Sequence, residues 1–561
     1  MIHRLENIGR TIENLQRYRN IVTVFMKYGY EDLARRLHLP TTLKIPFFRS
    51  KKAAEAPHLP PEVRLRLALD ELGPTFVKFG QILAARRDFL PETYIVELSK
   101  LQDNVAPIEF AAVRKVIEED LKRPWSEVYS FIEETPLGSA SIAQVHRARL
   151  LNGSVVVIKA QRPGIQKLIE TDLQILRHLA ALIEHNLEGW KIYQPARIVE
   201  QIAKSLLEEI DFTVEAAHTE RFARQFENDP RIRIPKIYHH ATTRMILTME
   251  CMEGIKASRM DELDAAGYNR PEIANRVSDL MMEQIFVHGF FHADPHPGNI
   301  HILPGETIGF LDFGMMGYLD QNARDAFADL AWGIVRRNQI GVTNALLQMA
   351  STDADTFRQG LEADVAEFMH QHFYGPINEM SFGKLLSQLL QLTSRHDLQI
   401  SPDYFVMLKS LSLTENLVRR LDPDHDLIAR AAPVLKKVRL ARIQPRRLTD
   451  YAMEFISGMG GIIREGPLEI RRLLTQARNG KTRINFKHEG LEPLITSMER
   501  TSNRLAFAVV LSSLIIGSSV IVHAGIPPKW NGIPVIGLAG FIVAAVMGFW
   551  LLISIIRHGR M

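Results

Sequence analysis

The chain has 561 residues, a length that predicts roughly two to four domains and not a single core. Hydrophobic residues make up 46% and charged residues 24% of the sequence, and the net charge is only +4, so no nucleic-acid partner is expected. The single cysteine, Cys251, excludes an internal disulfide and a cysteine-based zinc site, and it fits a reducing compartment.

The first part of the chain has a helical pattern. Charged residues such as Arg4 and Glu6 interrupt any apolar run near the start, so residues 1–30 predict an amphipathic helix and not a signal peptide. Acidic residues in the same stretch argue against a transit peptide. Apolar residues continue at helical spacing to about residue 125, with prolines between the segments. An N-terminal helical extension is therefore predicted.

The middle of the chain alternates short strand patterns with helical stretches. IAQVHRARL and SVVVIKA, joined by Asn152 and Gly153, predict a β-hairpin, because Asn-Gly is a favoured hairpin turn. A helical stretch follows from Gln166 to about Phe226, and IRIPKIYHHATTRMILTMECMEG predicts two further strands. From about Pro271 the pattern is helical except for the strand pair NIHIL and TIGFLDFG. This order is typical of a bilobal, kinase-like domain.

The end of the chain carries two long uncharged segments, 505–522 and 533–556. Each is long enough to cross a hydrocarbon layer of about 30 Å, and a short turn rich in proline and glycine joins them. A transmembrane hairpin is therefore predicted, with a buried core hairpin as the alternative. Small residues at helical spacing would let such helices approach closely; they are Ala508, Ser512, Gly540, Ala544 and Gly548.

Basic residues flank the two uncharged segments. Residues 436–500 contain 14 Lys and Arg against 7 Asp and Glu, Arg557 and Arg560 follow the second segment, and the turn offers only Lys529. The positive-inside rule then predicts that both chain ends are cytoplasmic, at a bacterial inner membrane. The basic segment 436–503 is equally compatible with contact to anionic lipid and with a solvated helical face.

The segment FFHADPHPGNIHI, residues 290–302, has two interpretations. Its histidines and aspartate resemble a metal-binding cluster, but Asp294 and Asn299 also have the spacing of a catalytic aspartate and a Mg²⁺-binding asparagine in kinases. Thirteen residues after Asn299, a predicted strand ends at Asp312-Phe313-Gly314, where kinases carry a second Mg²⁺ ligand. The combination favours phosphoryl transfer.

The prolines of this segment argue against a transition-metal site. Pro295 and Pro297 enclose His296, so the segment lacks the helical i, i+4 spacing of many histidine ligand pairs. We expect His292 to pack under the loop and His296 to support a ligand through a hydrogen bond. The expected metal is Mg²⁺ that arrives with ATP.

Phosphoryl transfer also needs a cation on the phosphates and a carboxylate that holds this cation in place. Lys159 ends the strand VVVIK directly after the predicted hairpin, although a surface lysine at a strand end is the alternative. Its partner is expected from the following helical segment, which offers five acidic residues: Glu208, Glu209, Asp211, Glu215 and Glu220.

The segment that should cover the phosphates, PLGSASIAQVH, has a single glycine, Gly138. Side chains at Ser139, Ala140 and Ser141 restrict the backbone, so this loop cannot approach phosphates as a glycine-rich loop does. The two serine hydroxyls are expected to compensate. The departure from a glycine-rich loop argues against an ordinary protein kinase.

From about residue 60 to the two C-terminal segments, the chain resembles the UbiB family of atypical kinase-like proteins, which act in ubiquinone biosynthesis. EIDFTVEA is similar to the family's ExD motif (Glu209 and Asp211), and GSASIAQVH is similar to its alanine-rich loop, with Gly138 where alanine is more usual. HADPHPGN and DFG match its catalytic and metal motifs. LGPTFVKFGQILAARRDFLP is similar to its KxGQ motif, formed here by Lys78, Gly80 and Gln81.

The element order and the resemblance together imply an α+β fold. It is expected to be a bilobal protein-kinase-like domain with an N-terminal helical extension and a C-terminal two-helix transmembrane hairpin. The expected domains are the helical extension 1–125, the N-lobe 126–256, the helical C-lobe 257–435, the basic juxtamembrane segment 436–503 and the helix pair 504–556.

The resemblance implies a role for each motif. Asp294 would be the catalytic aspartate, and Lys159 would pair with Glu215 and contact the ATP phosphates. Asn299 and Asp312 would bind Mg²⁺. The ATP-binding residues implied in this way are Gly138, Ser139, Ala140, Ser141, Lys159, Glu250 and Met252.

The KxGQ motif implies a cover over this site. Lys78 and Gln81 would reach Glu209 and Asp211, and the helix that carries them would block the approach of a protein substrate. The family is accordingly expected to work as an ATPase or as a kinase of small molecules, tied to lipid intermediates of the membrane.

The function implied is that of a membrane-anchored atypical kinase or ATPase that uses ATP and Mg²⁺, supports ubiquinone biosynthesis, and acts on or presents membrane lipid intermediates. Its expected partners are membrane lipids, polyprenyl-phenol quinone intermediates, other quinone-biosynthesis proteins and a second copy bound through the transmembrane helices.

Two alternatives stay open. One is a small-molecule kinase of the aminoglycoside or choline phosphotransferase type, whose motifs are similar, and the other is an ATP-dependent scaffold of a quinone-biosynthesis complex.

Overall fold

The computed structural model describes most of the chain, in two units that lie within Met1–Leu448 and Thr449–Met561. The basic segment 436–503 falls largely outside the described residues, and the five domain boundaries stay predictions. The described residues are 2–30, 59–85, 90–101, 105–187, 194–350, 358–373, 382–396, 398, 400–442 and 492–558.

The N-terminal extension is helical through most of its described residues, as predicted. Its helices are α1 (Ile2–Lys27), α2 (Pro61–Leu72), α3 (Pro74–Ala85), α4 (Glu92–Leu98) and α5 (Phe110–Leu121). Both α2 and α3 begin at a proline, which is favourable because the first N–H of a helix has no partner within it. The KxGQ motif lies on α3, where a Cβ at Gly80 would collide with the side chain of Leu101.

The N-lobe contains a five-stranded antiparallel sheet. Its strands are β1 (Tyr129–Ile132), β2 (Gly138–Ser139), β3 (Ala143–Leu150), β4 (Val155–Gln161) and β6 (Ile246–Glu250). Strand β5 (Ile232–Arg233) lies between β4 and β6 in the chain but belongs to a different sheet. The sheet order is β1–β3–β4–β6, with β2 paired to β3. The predicted hairpin is confirmed, because β3 and β4 pair around a turn in which Gly153 has a φ of 86°.

The helical stretch predicted from Gln166 to about Phe226 consists of three helices, α6 (Ile165–Asn186), α7 (Pro195–Glu209) and α8 (Phe212–Gln225). The last break lies at Asp211, whose side chain accepts a hydrogen bond of 3.0 Å from the Thr213 N–H and caps α8. Apolar residues continue through this break, so periodicity alone does not reveal it. The break places Glu209 and Glu215 on different helices.

A buried ion pair fixes α1 to this lobe. Arg17 Nε and Nη2 lie 2.6 and 2.8 Å from the two carboxylate oxygens of Asp172 on α6, and Asp172 is fully buried. The same guanidinium donates a 2.8 Å hydrogen bond to the Leu72 carbonyl and lies over the Phe76 ring, 5.7 Å from its centre. One arginine therefore joins α1 to α2, α3 and α6.

The C-lobe is mainly helical, as predicted. Its elements are β7 (Ile255–Lys256), α9 (Met260–Ala265), α10 (Arg270–Met282), β8 (Phe290–His292), β9 (Ile300–Leu303), β10 (Thr307–Phe310), β11 (Met316–Tyr318), α11 (Gln321–Val335), α12 (Gln339–Met349), α13 (Arg358–Phe373), α14 (Phe382–Arg395), α15 (Pro402–Leu421) and α16 (Leu427–Arg442). The predicted strand pair is confirmed as the antiparallel hairpin β9–β10. Strand β5 runs parallel to β10 and joins the sheet β5–β10–β9–β7, and β8 pairs with β11.

The second unit is a pair of helices, α17 (Glu492–Ala524) and α18 (Val535–His558), with the short strands β12 (Lys529–Trp530) and β13 (Ile533–Pro534) between them. By length and composition, the segment Leu505–Ala524 is sufficient to cross a membrane. The apolar part of α18 among the described side chains, Val535–Trp550, is shorter.

Small residues form the contact between α17 and α18. Ser518 and Ala544 are buried, and a Cβ at Gly540 would collide with the Ser518 hydroxyl. The predicted close approach is therefore a contact within the pair. Ala508 and Ser512 are exposed, as are large apolar side chains of both helices, which include Ile516, Val520, Val546 and Phe549.

The buried ion pair generates a stability prediction. Asp172→Asn should lower the midpoint of thermal unfolding of the full chain, because it leaves the Arg17 charge without its buried partner, a loss that costs about 3–5 kcal/mol. Glu200→Gln is the matched control, since Arg177 binds Glu200 through two hydrogen bonds of 2.8 and 3.0 Å at an exposed position. Equal midpoints for the two variants would contradict the importance of the α1 contact.

Candidate active site

A buried ion pair connects the N-lobe sheet to α8. Lys159, on β4, places its Nζ 3.0 and 2.8 Å from the two carboxylate oxygens of Glu215. Glu215 lies in the first turn of α8 and is buried. The ammonium also lies 5.3 Å from the centre of the Phe212 ring. Among the five acidic residues considered from sequence, Glu215 is the one this lysine contacts.

Asp312 brings the C-lobe to the same lysine. It follows β10, its Oδ2 lies 3.5 Å from Lys159 Nζ, and its Oδ1 accepts a 2.9 Å hydrogen bond from the Gly314 N–H. The Asp312 side chain is 46% exposed, so its carboxylate stays accessible to a ligand. Phe313 is buried against Phe222 of α8, with ring centres 5.3 Å apart. The Phe313 carbonyl oxygen accepts a 3.2 Å hydrogen bond from His218 Nδ1 of α8.

These contacts change the proton affinities of both charged groups. Burial alone would lower the pKa of the Lys159 ammonium, but the carboxylates of Asp312 and Glu215 raise it above its ordinary value. Burial alone would raise the pKa of Asp312, but Lys159 and the Gly314 N–H lower it to about 2. Both groups are therefore charged across the physiological pH range.

His292 links the catalytic loop to the Asp-Phe-Gly segment. Its Nδ1 accepts a 3.1 Å hydrogen bond from the Asp294 N–H, and its Nε2 donates to the carbonyl oxygen of Asp312. Burial lowers the pKa of His292, which favours the neutral ring that these two bonds require. The expectation that His292 packs under the loop is confirmed, because the residue is buried.

The second histidine of the loop makes a local contact. His296 is exposed, and its Nδ1 accepts a 3.1 Å hydrogen bond from the Gly298 N–H. Within the described residues, no group of three or more His, Cys, Asp and Glu side chains could hold a metal ion.

Asn299 and Asp312 lie at the same end of the β9–β10 hairpin. The Leu311 N–H donates a 3.0 Å hydrogen bond to the Asn299 carbonyl, and Asn299 Nδ2 donates to the Asp294 carbonyl at 3.4 Å. A carboxylate and an amide oxygen are hard ligands of the kind that Mg²⁺ prefers, and Mg²⁺ usually completes its shell with water and phosphate. The residues present therefore fit a Mg²⁺ ion brought by a nucleotide.

The structure also places two residues in the site that carry no sequence motif. Lys409 Nζ, on α15, lies 3.1 Å from Asp294 Oδ1. The neighbouring Ser410 is buried and donates a 2.6 Å hydrogen bond to the His292 carbonyl. Only the tertiary fold reveals these contacts, because Ser410 and His292 are 118 positions apart in the chain.

The loop expected to cover the phosphates is held by internal contacts. Arg162 Nε donates a 2.8 Å hydrogen bond to the Ala140 carbonyl, and its Nη2 donates at 2.8 Å to Ser139 Oγ. Ser141 is buried, and its hydroxyl has no hydrogen-bond partner among the described residues. Gly138 has open space where a side chain would project. The phosphate contacts expected from the two serine hydroxyls stay predictions.

Two further predicted ATP-binding residues lie near the connection between the lobes. The Glu250 carboxylate pairs with Arg233 and accepts a 3.3 Å hydrogen bond from the Lys236 N–H. Met252 is buried, and its methyl group lies close to Gly309 of β10. In the structure the Glu250 side chain is engaged by other residues of the protein, and the Met252 side chain packs against β10.

Helix α3 provides one of the two contacts expected from the KxGQ motif. Lys78 Nζ lies 2.6 Å from Glu209 Oε1, and both side chains are largely buried. Gln81 instead donates a 3.0 Å hydrogen bond to the Leu101 carbonyl. Asp211 caps α8 and lies 2.9 Å from Arg244 Nε. Of the contacts expected between these two pairs of residues, the structure shows Lys78 with Glu209, whereas Gln81 and Asp211 are bound elsewhere.

Helix α3 also contacts the C-lobe. It packs against α7 of the N-lobe and also against α15 of the C-lobe. Lys78 is close enough to the cleft that its charge contributes to lowering the pKa of Asp312, after the larger effects of Lys159 and Gly314. The KxGQ helix therefore borders the site formed by Lys159, Asp294 and Asp312.

Three family descriptions match the chain. The ABC1 atypical kinase-like domain matches residues 100–346, the UbiB helical domain matches 365–426, and the ABC1/UbiB kinase-like C-terminal domain matches 489–557. Lys159, Asp294 and Asp312 fall within the first match, whereas Lys409 falls within the second. The lysine beside Asp294 is therefore contributed by a different family segment.

Similar proteins align with most of the chain. A probable protein kinase UbiB of Marinobacter nauticus is 34% identical over 94% of this chain and 98% of its own length. A probable protein kinase UbiB of Xanthomonas campestris pv. campestris is 32% identical over 87% of this chain and 90% of its own. A solved complex of Rv3197 with erythromycin, from Mycobacterium tuberculosis, covers 63% of this chain and 90% of its own at 21% identity, with a TM-score of 0.45.

The charge cluster predicts a low chemical reactivity for Lys159. Acylating reagents attack neutral amines, so at pH 8.5 Lys159 should react at least about tenfold more slowly than Lys115, because its pKa is raised and its side chain is 14% exposed, against 75%. Asp312→Asn removes one carboxylate and should accelerate the reaction, whereas Asp424→Asn, at an exposed position, should not. Mass spectrometry of acylated peptides measures these rates, and no acceleration in Asp312→Asn would contradict the electrostatic coupling.

Proposed function

Because the chain belongs to the UbiB family of ABC1 atypical kinase-like proteins, we propose that it is a membrane-anchored ATPase or kinase that supports ubiquinone biosynthesis. The observation that carries this proposal is the position of Lys159, within 3.5 Å of carboxylates from both lobes, Glu215 and Asp312. A lysine held in this way is suited to the phosphates of ATP.

Each residue of the cleft has a role in the proposed reaction. Lys159, oriented by Glu215, binds ATP phosphates, and Asn299 and Asp312 hold Mg²⁺. When bound, Mg²⁺ supplies positive charge that neutralises the phosphate oxygens during transfer. Asp294 accepts the proton of the attacking hydroxyl, which belongs to water or to a lipid intermediate.

The borders of the site favour a small acceptor over a folded protein. Helix α3 contacts both α7 and α15 and contributes Lys78 to the ion pair with Glu209. It therefore covers surface beside the cleft to which a folded protein substrate would have to bind. We place the helix pair α17–α18 in a bacterial inner membrane with both chain ends in the cytoplasm. The exposed apolar side chains of both helices support this placement.

Polyprenyl-phenol intermediates are the proposed acceptors or cargo, because their reactive phenol is polar and their tail partitions into lipid. Anionic lipids and other quinone-biosynthesis proteins are the further partners. The two alternatives predict different products: a small-molecule kinase yields a phosphorylated soluble compound, and a scaffold sustains quinone synthesis without hydrolysis of ATP.

The proposal predicts that membranes and substrate stimulate ATP turnover. The full chain in anionic liposomes should hydrolyse ATP faster when a polyprenyl phenol is added, and Asp312→Asn should lower the rate at least about 100-fold, because it weakens the metal site. Asp424→Asn, outside the cleft, should keep the wild-type rate.

Quinone levels provide the cellular readout. Mass spectrometry of a deletion strain should show ubiquinone restored by the wild-type chain, and not by Lys78→Ala, Asp294→Asn or Asp312→Asn. Absence of stimulation in liposomes, together with wild-type quinone levels in the Asp312→Asn strain, would reject the proposed function.

A further inference from the structure

The catalytic loop has no cation of its own. Residues 292–299, HADPHPGN, contain neither lysine nor arginine. A charge beside the loop comes instead from the C-lobe helix α15, where Lys409 Nζ lies 3.1 Å from Asp294 Oδ1. Both side chains are 35% exposed, so a ligand can reach this ion pair.

The position of Lys409 relative to the reacting centre is fixed by its neighbour. Ser410 is fully buried and donates a 2.6 Å hydrogen bond to the His292 carbonyl. The His292 ring in turn binds the Asp294 N–H on one side and the Asp312 carbonyl on the other. A single residue, His292, therefore joins α15 through its main-chain carbonyl and joins Asp294 and the Asp-Phe-Gly segment through its ring.

The three lysines around the cleft differ in how firmly they are engaged. Lys159 contacts two carboxylates, and the Lys78–Glu209 pair is largely buried. Lys409 faces Asp294, the one carboxylate that is proposed to take up a proton during the reaction. Lys409 is therefore placed on the acceptor side of the proposed reaction.

On the premise of the proposed function, we propose that Lys409 is a catalytic residue that binds the γ-phosphoryl group of ATP. The acceptor oxygen forms a bond to the γ-phosphorus as the bond from that phosphorus to the β,γ-bridging oxygen breaks, and the bond electrons leave with ADP. The acceptor proton passes to Asp294. Lys409, whose Nζ lies 3.1 Å from Asp294 Oδ1, contacts an oxygen of the γ-phosphoryl group in the bound triphosphate and stabilises the negative charge that accumulates there during transfer.

This assignment predicts a selective loss of affinity for the triphosphate. For the full chain in lipid nanodiscs with Mg²⁺, Lys409→Met should weaken binding of the β,γ-imido analogue of ATP about tenfold, the size expected for one charge-assisted hydrogen bond, and leave ADP binding unchanged. Lys409→Arg keeps the charge and should restore most of the triphosphate affinity. Calorimetry measures both nucleotides.

Lys27→Met is the matched control, because Lys27 forms an ion pair of comparable exposure with Glu71 outside the cleft, with Nζ to Oε2 at 2.6 Å. It should bind both nucleotides as the wild type does. Lys409→Gln serves as a second neutral variant. Equal weakening of both nucleotides by the two neutral variants would assign Lys409 a merely structural role and overturn the inference.

The outcomes also separate this inference from the proposed function. A wild-type chain that binds neither nucleotide would reject the proposed function. A wild-type chain that binds both, with an unchanged ratio of the two affinities in Lys409→Met, would reject only the assignment of Lys409.

Discussion

The contact of Lys159 with Glu215 and Asp312 is the constraint on which the rest of the first unit depends. The Lys159 ammonium on β4 lies within 3.5 Å of a carboxylate from the first turn of α8 and of a carboxylate from the segment after β10. Lys159 and Glu215 neutralise each other within the N-lobe, and the two lobes must meet correctly for Asp312 to join this pair. The break at Asp211, which starts α8, is what brings Glu215 to this point.

Sequence reasoning was most accurate where the determinants are local. The β3–β4 hairpin follows from Asn152 and Gly153, because the turn chemistry lies between the paired strands. The spacing of Asn299 and Asp312 likewise predicts two residues that lie at the same end of the β9–β10 hairpin, and their roles as metal ligands stay predictions. Lys409 and Arg162 were missed because their contacts join distant segments and their residue types form no motif with the neighbours.

The hydrogen bond of Gln81 to the Leu101 carbonyl has a similar physical origin. Motif spacing predicts which elements meet but not which hydrogen bond each side chain makes. Asp211 sits at the first turn of a helix, where the Thr213 N–H is already available, and Arg244 neutralises its charge. Gln81 has a backbone carbonyl within reach at Leu101. Lys78, whose charge attracts Glu209 over a longer range, made the predicted contact.

The helix pair of the second unit has a consequence for work with the purified protein. Its small residues Ser518, Gly540 and Ala544 are used in the contact between the two helices, which leaves large apolar side chains on the outer surface. In aqueous buffer this surface drives copies of the chain together without any specific fit. A particle size measured without lipid or detergent would therefore reflect nonspecific hydrophobic association of these helices and not a defined oligomer.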